Sequence, residues 1–270
     1  MQDTKLTVLK NTTELRRWRK SLDAKAKVGF VPTMGALHAG HAELLKQARQ
    51  NNDIVLLSIF VNPTQFGPNE DLAKYPRTLE SDLNLASNQK VDAVFFPSES
   101  EMYPKGYSTF VTEEELSKPL CGQFRPAHFR GVTTVVLKLF NLVQPHHAYF
   151  GLKDAQQFIV LRKMVADLNL DLEMVGVSTV READGLAMSS RNRYLTAVER
   201  EKAPLLFKLL KETQIQIADQ ASVVPVLEAA KQKLSDRGFT VQYFEYLENE
   251  RLLAAAVFLG KTRLIDNLFL

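Results

Sequence analysis

The chain is poor in cysteine, in blocks of like charge and in long hydrophobic runs. Its single cysteine, Cys121, can form neither a disulfide within the chain nor a multi-cysteine zinc site, and we interpret it as inert. The net charge of +3 is too small for the basic footprint of a nucleic-acid-binding protein. The apolar run at residues 54–61 is too short to span a membrane, and the N-terminus lacks a signal-peptide core. We therefore expect a cytoplasmic protein without nucleic-acid or membrane partners.

Hydrophobic residues make up 45% of the chain of 270, enough for a sizeable core in one or two domains. Up to about residue 180, apolar strands alternate with helices of 3.6-residue periodicity. Strands are predicted at 28–31, 54–61, 91–97, 147–151 and 172–180, and helices at 41–50, 131–143 and around 158–168. Continuous apolar strands separated by helices predict an α/β fold with a parallel sheet covered on both faces.

The order of elements changes after about residue 190. Thr196 and Glu199 have the spacing of a capping box, which predicts a helix over 197–217. A second helix is predicted over 222–237, followed by strands at 239–248, 254–259 and 262–268. Helices followed by strands predict a smaller α+β unit. We place the boundary near residues 176–190 and expect two domains, 1–178 and 179–270.

The segment PTMGALHAGH, residues 32–41, lies where a predicted strand passes into a predicted helix. A helix N-terminus presents unpaired N–H groups and a partial positive charge, which favour phosphate. His38 and His41 are three residues apart and can donate hydrogen bonds from one side of the helix, while glycines let the backbone approach a ligand. This pattern favours a nucleoside triphosphate. Two capping histidines are an alternative, as is a metal pair, although two histidines are too few for zinc.

Other polar segments follow the ends of predicted strands. In VNPTQF, the amide of Gln65 can donate and accept, which suits a small hydroxy acid, but the segment also fits an ordinary turn. In RPAHFRGV, two arginines and a histidine either hold an anion or pair with local acids. In FGLKDAQQF, Asp154 either caps a helix or binds a ribose. The hydroxyls and arginine of MSSR suit a polyphosphate, or form a hinge loop.

These segments, in this order, resemble the pantothenate synthetase (pantoate–β-alanine ligase) family. The resemblance comprises PTMGALHAGH, FVNPTQF, YPRT, RPAHFRGV, FGLKDAQQ, MSSRNRYL and LGKTRLIDN, which span nearly the whole chain. The ordered set is more specific than any one motif. One departure is Ala127, where the family usually has glycine.

The resemblance implies a Rossmann-like N-terminal domain that binds ATP and pantoate, a smaller C-terminal domain that covers the site, and a homodimer. It also implies a reaction in which ATP, pantoate and β-alanine give pantothenate, AMP and pyrophosphate, with Mg²⁺ required. Pantoate would first form pantoyl adenylate, and the amine of β-alanine would then displace AMP.

The resemblance also assigns roles to individual residues. The implied ATP site consists of Met34, Gly35, Ala36, Leu37, His38, Ala39, Gly40, His41, Gly151, Leu152, Lys153, Asp154, Val180, Met188, Ser189, Ser190 and Arg191. The implied catalytic residues are His38, His41, Lys153, Ser189, Ser190 and Arg191, with His41 as the proton donor. Gln65 and Gln157 would hold pantoate, and Gln65 would also touch β-alanine. Asp82 would help to place Mg²⁺.

Three other functions remain to be weighed against this one. A nucleotidyltransferase with the same histidine pattern would release a stable adenylylated product and need no amine. A nucleotide-sensing module would bind ATP without turnover. A tRNA ligand is disfavoured by the modest net charge and by the lack of an arginine-rich face.

Overall fold

The computed structural model describes residues 6–68, 70–219 and 222–270. The described residues fall into two compact units. The first unit consists of the described residues up to Gly151 together with Gln156–Val177. The second unit consists of Leu152–Ala155 and the described residues from Ser178 onward. The short segment Leu152–Ala155 thus belongs with the second unit, although it precedes the boundary expected near residues 176–190.

The first unit contains a six-stranded sheet in which every described pairing is parallel. Its strands are β1 (Thr7–Leu9), β2 (Val28–Thr33), β3 (Ile54–Ile59), β4 (Ala93–Phe95), β5 (His147–Gly151) and β6 (Glu173–Val177). Their order across the sheet is β1-β4-β3-β2-β5-β6. The α/β fold with a Rossmann-like parallel sheet, predicted from the alternation of apolar strands and helices, is confirmed.

Helices cover both faces of this sheet. They are α1 (Thr12–Ser21), α2 (Ala39–Asn51), α3 (Leu79–Asn88), α4 (Glu99–Met102), α5 (Cys121–Phe124), α6 (His128–Val143) and α7 (Ala155–Asp167). On one face, Val31 and Leu57 of the strands share a core with Leu45 of α2. On the other face, the ring of Phe30 packs edge-on against Phe140 of α6 at 6.3 Å between centroids. Because side chains alternate between faces, burial on both explains the unbroken apolar strands.

The strand order creates a switch point between β2 and β5. From β2 the chain builds outward through β3 and β4 on one side, and later through β5 and β6 on the other. Open α/β sheets bind their ligands at the carboxyl ends of the strands at such a point. The segments that follow these two strands begin at Met34 and Leu152, both of which lie in motifs singled out from the sequence.

The second unit combines helices with a three-stranded antiparallel sheet. Its helices are α8 (Ala197–Lys202), α9 (Leu205–Ala218) and α10 (Val223–Ser235), and its strands are β7 (Phe239–Leu247), β8 (Leu252–Leu259) and β9 (Thr262–Phe269). Thr196 and Glu199 form the predicted capping box. The prediction of one helix over 197–217 is wrong, because α8 ends before Pro204, a residue that has no N–H to continue a helix. Leu206, Phe244 and Leu253 lie in the core of this unit.

No helix within the described parts of the chain is long and apolar enough to cross a membrane.

Candidate active site

The loop after β2 is shaped by two consecutive residues in the left-handed region. Gly35 has φ of +82° and Ala36 has φ of +51°. At Gly35, an added Cβ would lie 3.0 Å from a carboxylate oxygen of Asp82, so glycine suits both the dihedral angle and the space. Ala36 adopts a conformation that is unfavourable for an L-residue, and the surrounding contacts must stabilise it.

Asp82, in the first turn of α3, supplies those contacts. Its carboxylate accepts hydrogen bonds from the N–H of Ala36 at 3.0 Å and of Leu37 at 2.8 Å. The hydroxyl of Thr78 lies 3.2 Å from each of the two oxygens, and Asp82 is only 1% exposed. The geometry therefore favours a different use of this carboxylate from the predicted placement of Mg²⁺, because both oxygens already hold the loop.

His38 and His41 cap the helix that follows. Nδ1 of His38 accepts a hydrogen bond from the N–H of Gly40 at 3.1 Å, and Nδ1 of His41 accepts one from the N–H of His38 at 3.3 Å. An added Cβ at Gly40 would lie 2.9 Å from the His38 ring, so glycine lets the ring cover the helix start. The two ring centroids are 4.2 Å apart. The spacing of three residues thus places both imidazoles together, as predicted.

These contacts change the expected mode of phosphate binding. Unpaired N–H groups were expected at the start of α2. Instead, the N–H groups of His38 and Gly40 donate to the two histidine rings, and those of Ala36 and Leu37, in the preceding loop, donate to Asp82 of α3. Each imidazole accepts at Nδ1, so this hydrogen-bond pattern assigns its neutral form the tautomer with the proton on Nε2. The capping alternative from the sequence is therefore observed, through Nδ1 of both rings, and the contact of the histidines with phosphate stays a prediction.

Gln65 ends a short 3₁₀ turn, Pro63–Gln65, that follows β3. Its Oε1 accepts a hydrogen bond from Nδ2 of Asn62 at 3.0 Å, and its Nε2 lies 3.4 Å from the sulfur of Met34. The structure therefore brings Gln65 next to the first residue of the loop after β2. The amide presents its N–H side toward that loop, which suits an acceptor oxygen on a ligand.

The RPAHFRGV segment holds the backbone of the same residue. The carbonyl of Gln65 accepts a hydrogen bond from Nη2 of Arg125 at 3.2 Å and lies 3.0 Å from Nδ1 of His128. Nε of Arg125 also donates to Glu70 at 2.6 Å. Burial raises the pKa of Glu70, but the hydrogen bond and charge of Arg125 outweigh this and lower it below 4.5 overall. Of the two readings of this motif, pairing with a local acid describes the observed contacts.

A glycine of α6 lets the helix approach this turn closely. At Gly131, an added Cβ would lie 2.4 Å from the carbonyl oxygen of Thr64 and 2.7 Å from the N of Gln65. The carbonyl of Gly131 in turn accepts from Nδ2 of Asn62 at 3.2 Å. Ala127, where the resemblance leads one to expect glycine, has φ of −92°, which alanine adopts without strain.

Gln157, predicted to hold pantoate, lies half-buried on α7. Its neighbour Gln156 is buried and braces another segment: Oε1 accepts from the N–H of Cys121 at 3.0 Å, and Nε2 donates to the carbonyl of Pro119 at 2.7 Å. At Gly151, the end of β5, an added Cβ would meet no atom within 4 Å, so open space adjoins the switch point.

In the second unit, Lys153 and Asp154 lie on a 3₁₀ turn, Leu152–Asp154, whose carbonyls are held by Asn267. Nδ2 of Asn267 donates to the carbonyls of Leu152 at 2.9 Å and Lys153 at 2.8 Å. Nζ of Lys153 is 3.9 Å from an oxygen of Asp154, which is exposed and does not cap α7 by a described contact. Asn267 belongs to LGKTRLIDN, so the structure gives that motif the role of supporting this turn.

The segment with Val180 pairs with the MSSR segment within the second unit. The N–H of Met188 donates to the carbonyl of Val180 at 3.0 Å, and Arg181 and Ala187 form an antiparallel bridge. Ser189 accepts the N–H of Arg191 at 3.2 Å and so caps the short turn Ser190–Tyr194.

Arg181 anchors this pair of segments. It forms two hydrogen bonds to the buried carboxylate of Asp266, at 2.6 and 2.9 Å, and stacks on the ring of Phe207 at 3.4 Å. The predicted residues Ser190 and Arg191 thus follow a bridge, Arg181–Ala187, that the contacts of Arg181 hold in place.

The residues that hold a metal in other proteins do not gather here. Within residues 6–68, 70–219 and 222–270, no group of three or more histidines, cysteines or acidic residues is placed to bind a metal ion. Mg²⁺ is commonly bound through one or two carboxylates, water and substrate phosphates, so its binding does not require such a group.

Sequence reasoning missed the supporting residues Asp82, as a loop anchor, and Asn267. Neither Asn62 nor Tyr103 was assigned a role from the sequence. The presence of Asn267 in a shared C-terminal motif was a usable signal, because an asparagine in a strand of a small sheet calls for a partner. Nothing in the local sequence around Tyr103 indicates a role.

Comparison with known proteins shows full-length likeness to one family. A model of the family described as pantoate-beta-alanine ligase matches residues 7–269. The pantothenate synthetase of Fervidobacterium nodosum is 51% identical over 98% of this chain and 99% of that protein. The pantothenate synthetase of Thermotoga neapolitana is also 51% identical, over 98% of this chain and 100% of that protein.

Solved structures agree with the sequence relatives. Pantothenate synthetase from Thermus thermophilus has a TM-score of 0.91 and 44% identity, over 97% of this chain and 98% of that chain. Pantoate-beta-alanine ligase from Francisella tularensis, solved in complex with beta-gamma ATP and beta-alanine, has a TM-score of 0.88 and 37% identity, over 98% of each chain.

Proposed function

The chain belongs to the pantoate–β-alanine ligase family, and we propose how its own residues carry out the ligase reaction of that family. It is an ATP-dependent ligase that condenses pantoate with β-alanine to form pantothenate. The roles of individual residues below are proposals argued from the contacts in each unit.

The reaction consists of two displacements. An oxygen of the pantoate carboxylate attacks the α-phosphorus of ATP, the new P–O bond forms, and pyrophosphate leaves. The amine of β-alanine then attacks the carbonyl carbon of pantoyl adenylate, the C–N bond forms, AMP leaves and the amine proton passes to solvent. Neither step needs a nucleophile from the protein, so catalysis rests on positioning and on stabilising charge.

His38 and His41 are proposed to contact the phosphates of ATP through their Nε2–H groups. Their Nδ1 atoms are engaged in capping α2, which fixes both rings and the side from which they donate. Donors that are held in place before the reaction stabilise developing negative charge without a cost of reorganisation. With Nδ1 engaged in the cap, His41 is proposed to act by donating a hydrogen bond from Nε2, a narrower role than full proton transfer.

Gln65 is proposed to bind pantoate as a hydrogen-bond donor, and also to touch β-alanine. The observation that carries this proposal is the position of the Gln65 amide. Its Oε1 accepts a hydrogen bond from Asn62, and its Nε2 lies 3.4 Å from the sulfur of Met34 in the loop after β2. A small acid bound by this amide would lie beside the loop that carries the two histidines. Gln157 is proposed as a second contact to pantoate.

Lys153, Ser189, Ser190 and Arg191 are proposed to contact the phosphates of ATP, and Asp154 its ribose. Val180, whose carbonyl pairs with Met188, is proposed to contact adenine through its backbone. Mg²⁺ is proposed to enter with ATP, bound to its phosphates and water rather than to a cluster of protein carboxylates.

The family resemblance also supports a cytoplasmic homodimer, which we propose for this chain. Sedimentation should then give about twice the chain mass of 30.5 kDa, and a mass of 30.5 kDa at micromolar concentration would count against the dimer.

The test of this mechanism measures pyrophosphate release from ATP, Mg²⁺ and pantoate, with and without β-alanine. We expect a burst of one equivalent per active site without β-alanine, because pantoyl adenylate stays bound, and steady turnover with it. Sustained release without an amine would instead indicate a transferase or a hydrolase. No release in either case, with ATP bound, would indicate a nucleotide-sensing module.

A further inference from the structure

Tyr103 is a residue that no part of the proposed mechanism yet uses. It follows α4 and lies 41 residues from Asn62 in the sequence, yet its hydroxyl donates a hydrogen bond to Oδ1 of Asn62 at 2.8 Å. Its ring packs edge-on against Tyr107 at 5.1 Å and lies 6.2 Å from that of Phe60. A tyrosine in such a place contributes a fixed donor rather than bulk alone.

The hydrogen bonds around Asn62 use its whole capacity. Its Nδ2 donates to Oε1 of Gln65 and to the carbonyl of Gly131, while its Oδ1 accepts from Tyr103 and from Thr64 at 2.9 Å. Two donors and two accepted bonds are all that an asparagine amide can make. Because the Asn62 side chain is only 1% exposed, water cannot readily replace a lost hydrogen-bond partner, and the unpaired group would carry a desolvation cost.

The orientation of this amide follows from its surroundings. A carbonyl can only accept, so Gly131 requires the Nδ2 side of Asn62, and the hydroxyl of Tyr103 favours Oδ1 on the opposite side. A flipped amide would place Oδ1 against two acceptors. Because Asn62 then offers an N–H to Gln65, the Gln65 amide must turn its oxygen inward and its N–H groups outward.

Burial keeps Tyr103 suited to this task. It raises the pKa of Tyr103 to about 12, so the hydroxyl remains a donor throughout the range in which the enzyme can work.

We propose that Tyr103 is a positioning residue for the ligase reaction: through Asn62, its hydroxyl fixes the Gln65 amide with the N–H side toward pantoate. The inference rests on the proposed role of Gln65 in binding pantoate. It assigns to Tyr103 a share of the recognition of the acid without any contact to it.

The test is a double-mutant cycle between Tyr103→Phe and Gln65→Ala, with separate KM values for pantoate and ATP. Tyr103→Phe removes the hydrogen bond to Asn62 and the 3.2 Å contact with the hydroxyl of Thr64. It should raise the KM for pantoate about threefold to tenfold, the range expected when a neutral hydrogen bond that supports Gln65 is lost, and leave the KM for ATP within twofold. In the Gln65→Ala background, the same substitution should have no further effect, because the amide on which it acts is gone. A merely structural role would not give this dependence on Gln65.

Tyr107→Phe is the matched control, since it removes a neighbouring hydroxyl that makes none of the described hydrogen bonds to Asn62, and its KM for pantoate should be unchanged. If Gln65→Ala raises the KM for pantoate but Tyr103→Phe does not, the role of Tyr103 is overturned and the pantoate site stands. An effect of Tyr103→Phe of equal size in both backgrounds also overturns it. If Gln65→Ala itself leaves that KM unchanged, the pantoate assignment fails and this inference fails with it.

Discussion

At the scale of the residue, His38 and His41 divide their work between two ring nitrogens. Each Nδ1 accepts a backbone N–H at the start of α2, and this assigns the proton of the neutral ring to Nε2. A helix cap contributes on the order of 1 kcal/mol to stability. A fixed donor to a developing charge contributes about 3 kcal/mol to the stabilisation of the transition state. Substitutions that keep one function and remove the other can therefore separate them.

His41→Asn is expected to lower kcat by about 100-fold while leaving the thermal midpoint close to that of the wild type. Asparagine is a good acceptor near a helix start, so its Oδ1 can replace Nδ1 in the cap, but its Nδ2–H groups lie nearer the backbone and do not reach the position of Nε2–H. Steady-state kinetics and thermal unfolding of the same preparations measure both effects. His41→Ala, which removes both functions, should lose stability as well as rate. A fall in kcat of less than threefold in His41→Asn would rule out the catalytic role.

Asp82 holds the loop after β2 through hydrogen bonds that the sequence did not predict. Asp82→Asn would turn an amide N–H toward the N–H of Ala36 or Leu37, and the left-handed loop would lose one of its acceptors. We expect the KM for ATP to rise about tenfold and the free energy of unfolding to fall by about 1–3 kcal/mol. Glu80→Gln removes an exposed carboxylate from the same helix turn and serves as the control. If Asp82→Asn leaves the KM for ATP unchanged, the loop does not depend on this carboxylate.

At the scale of the element, α6 is the support on which the turn at Pro63–Gln65 rests. Gly131 lets the helix backbone touch that of Thr64, and its own carbonyl receives Asn62. The motif RPAHFRGV thus acts through its backbone and through two side chains that hold one carbonyl. The sequence left anion binding and pairing with local acids equally open for this basic motif, and in the structure Arg125 pairs with Glu70.

Gly131→Ala should raise the KM for pantoate and lower the free energy of unfolding by about 1–3 kcal/mol, a usual cost of overpacking. The added Cβ would lie 2.4 Å from a backbone oxygen, so the helix or the turn must shift, and Gln65 would move with it. Gly67→Ala is the control, because its Cβ would lie 3.6 Å from the nearest atom. Kinetics and denaturant unfolding measure the two effects. An unchanged KM for pantoate in Gly131→Ala would show that Gln65 tolerates the shift.

At the scale of the whole molecule, two units with different sheets carry different parts of the predicted site. The loop after β2, the Gln65 turn and α6 belong to the first unit, whereas Leu152–Ala155 and the segment from Val180 to Arg191 belong to the second.

The ion pair between Arg125 and Glu70, in the first unit, links the stability of the protein to pH. The two side chains are 19% and 28% exposed.

Glu70→Gln should destabilise the protein at neutral pH and have less effect in acid. Because the pKa of Glu70 is lowered below 4.5 in the folded state, its ionised form contributes stability that is complete above 4.5. That contribution is lost as the pH falls through the lowered pKa. Denaturant unfolding of wild type and variant at pH 7, 5 and 3.5 should give a difference that shrinks with acidity. Glu99→Gln, at an exposed position of α4, is the control, and a constant difference for Glu70→Gln would contradict the pKa shift.

The sequence by itself determined the strands, the helix after His38, the class of fold and the family. Apolar runs with a period of two or 3.6 residues require only local patterns, and motifs such as PTMGALHAGH keep chemically specific residues at fixed spacing. The sequence did not indicate the short edge strand Thr7–Leu9, because three residues carry too little periodicity. It also did not indicate the break at Pro204, because the apolar face predicted over 197–217 continues past this one proline.

The tertiary structure alone decided how the site residues are used. Asp82 meets Ala36 across 46 residues, Asn62 meets Gly131 across 69, and Tyr103 meets Asn62 across 41. A hydrogen bond depends on a distance within about 3.5 Å and on direction, and neither is encoded by local spacing once the partners come from different elements. The sequence therefore predicted which groups are present, while the packing of α3, α6 and the segment after α4 against the strand ends decided which atoms of those groups are hydrogen-bonded within the protein.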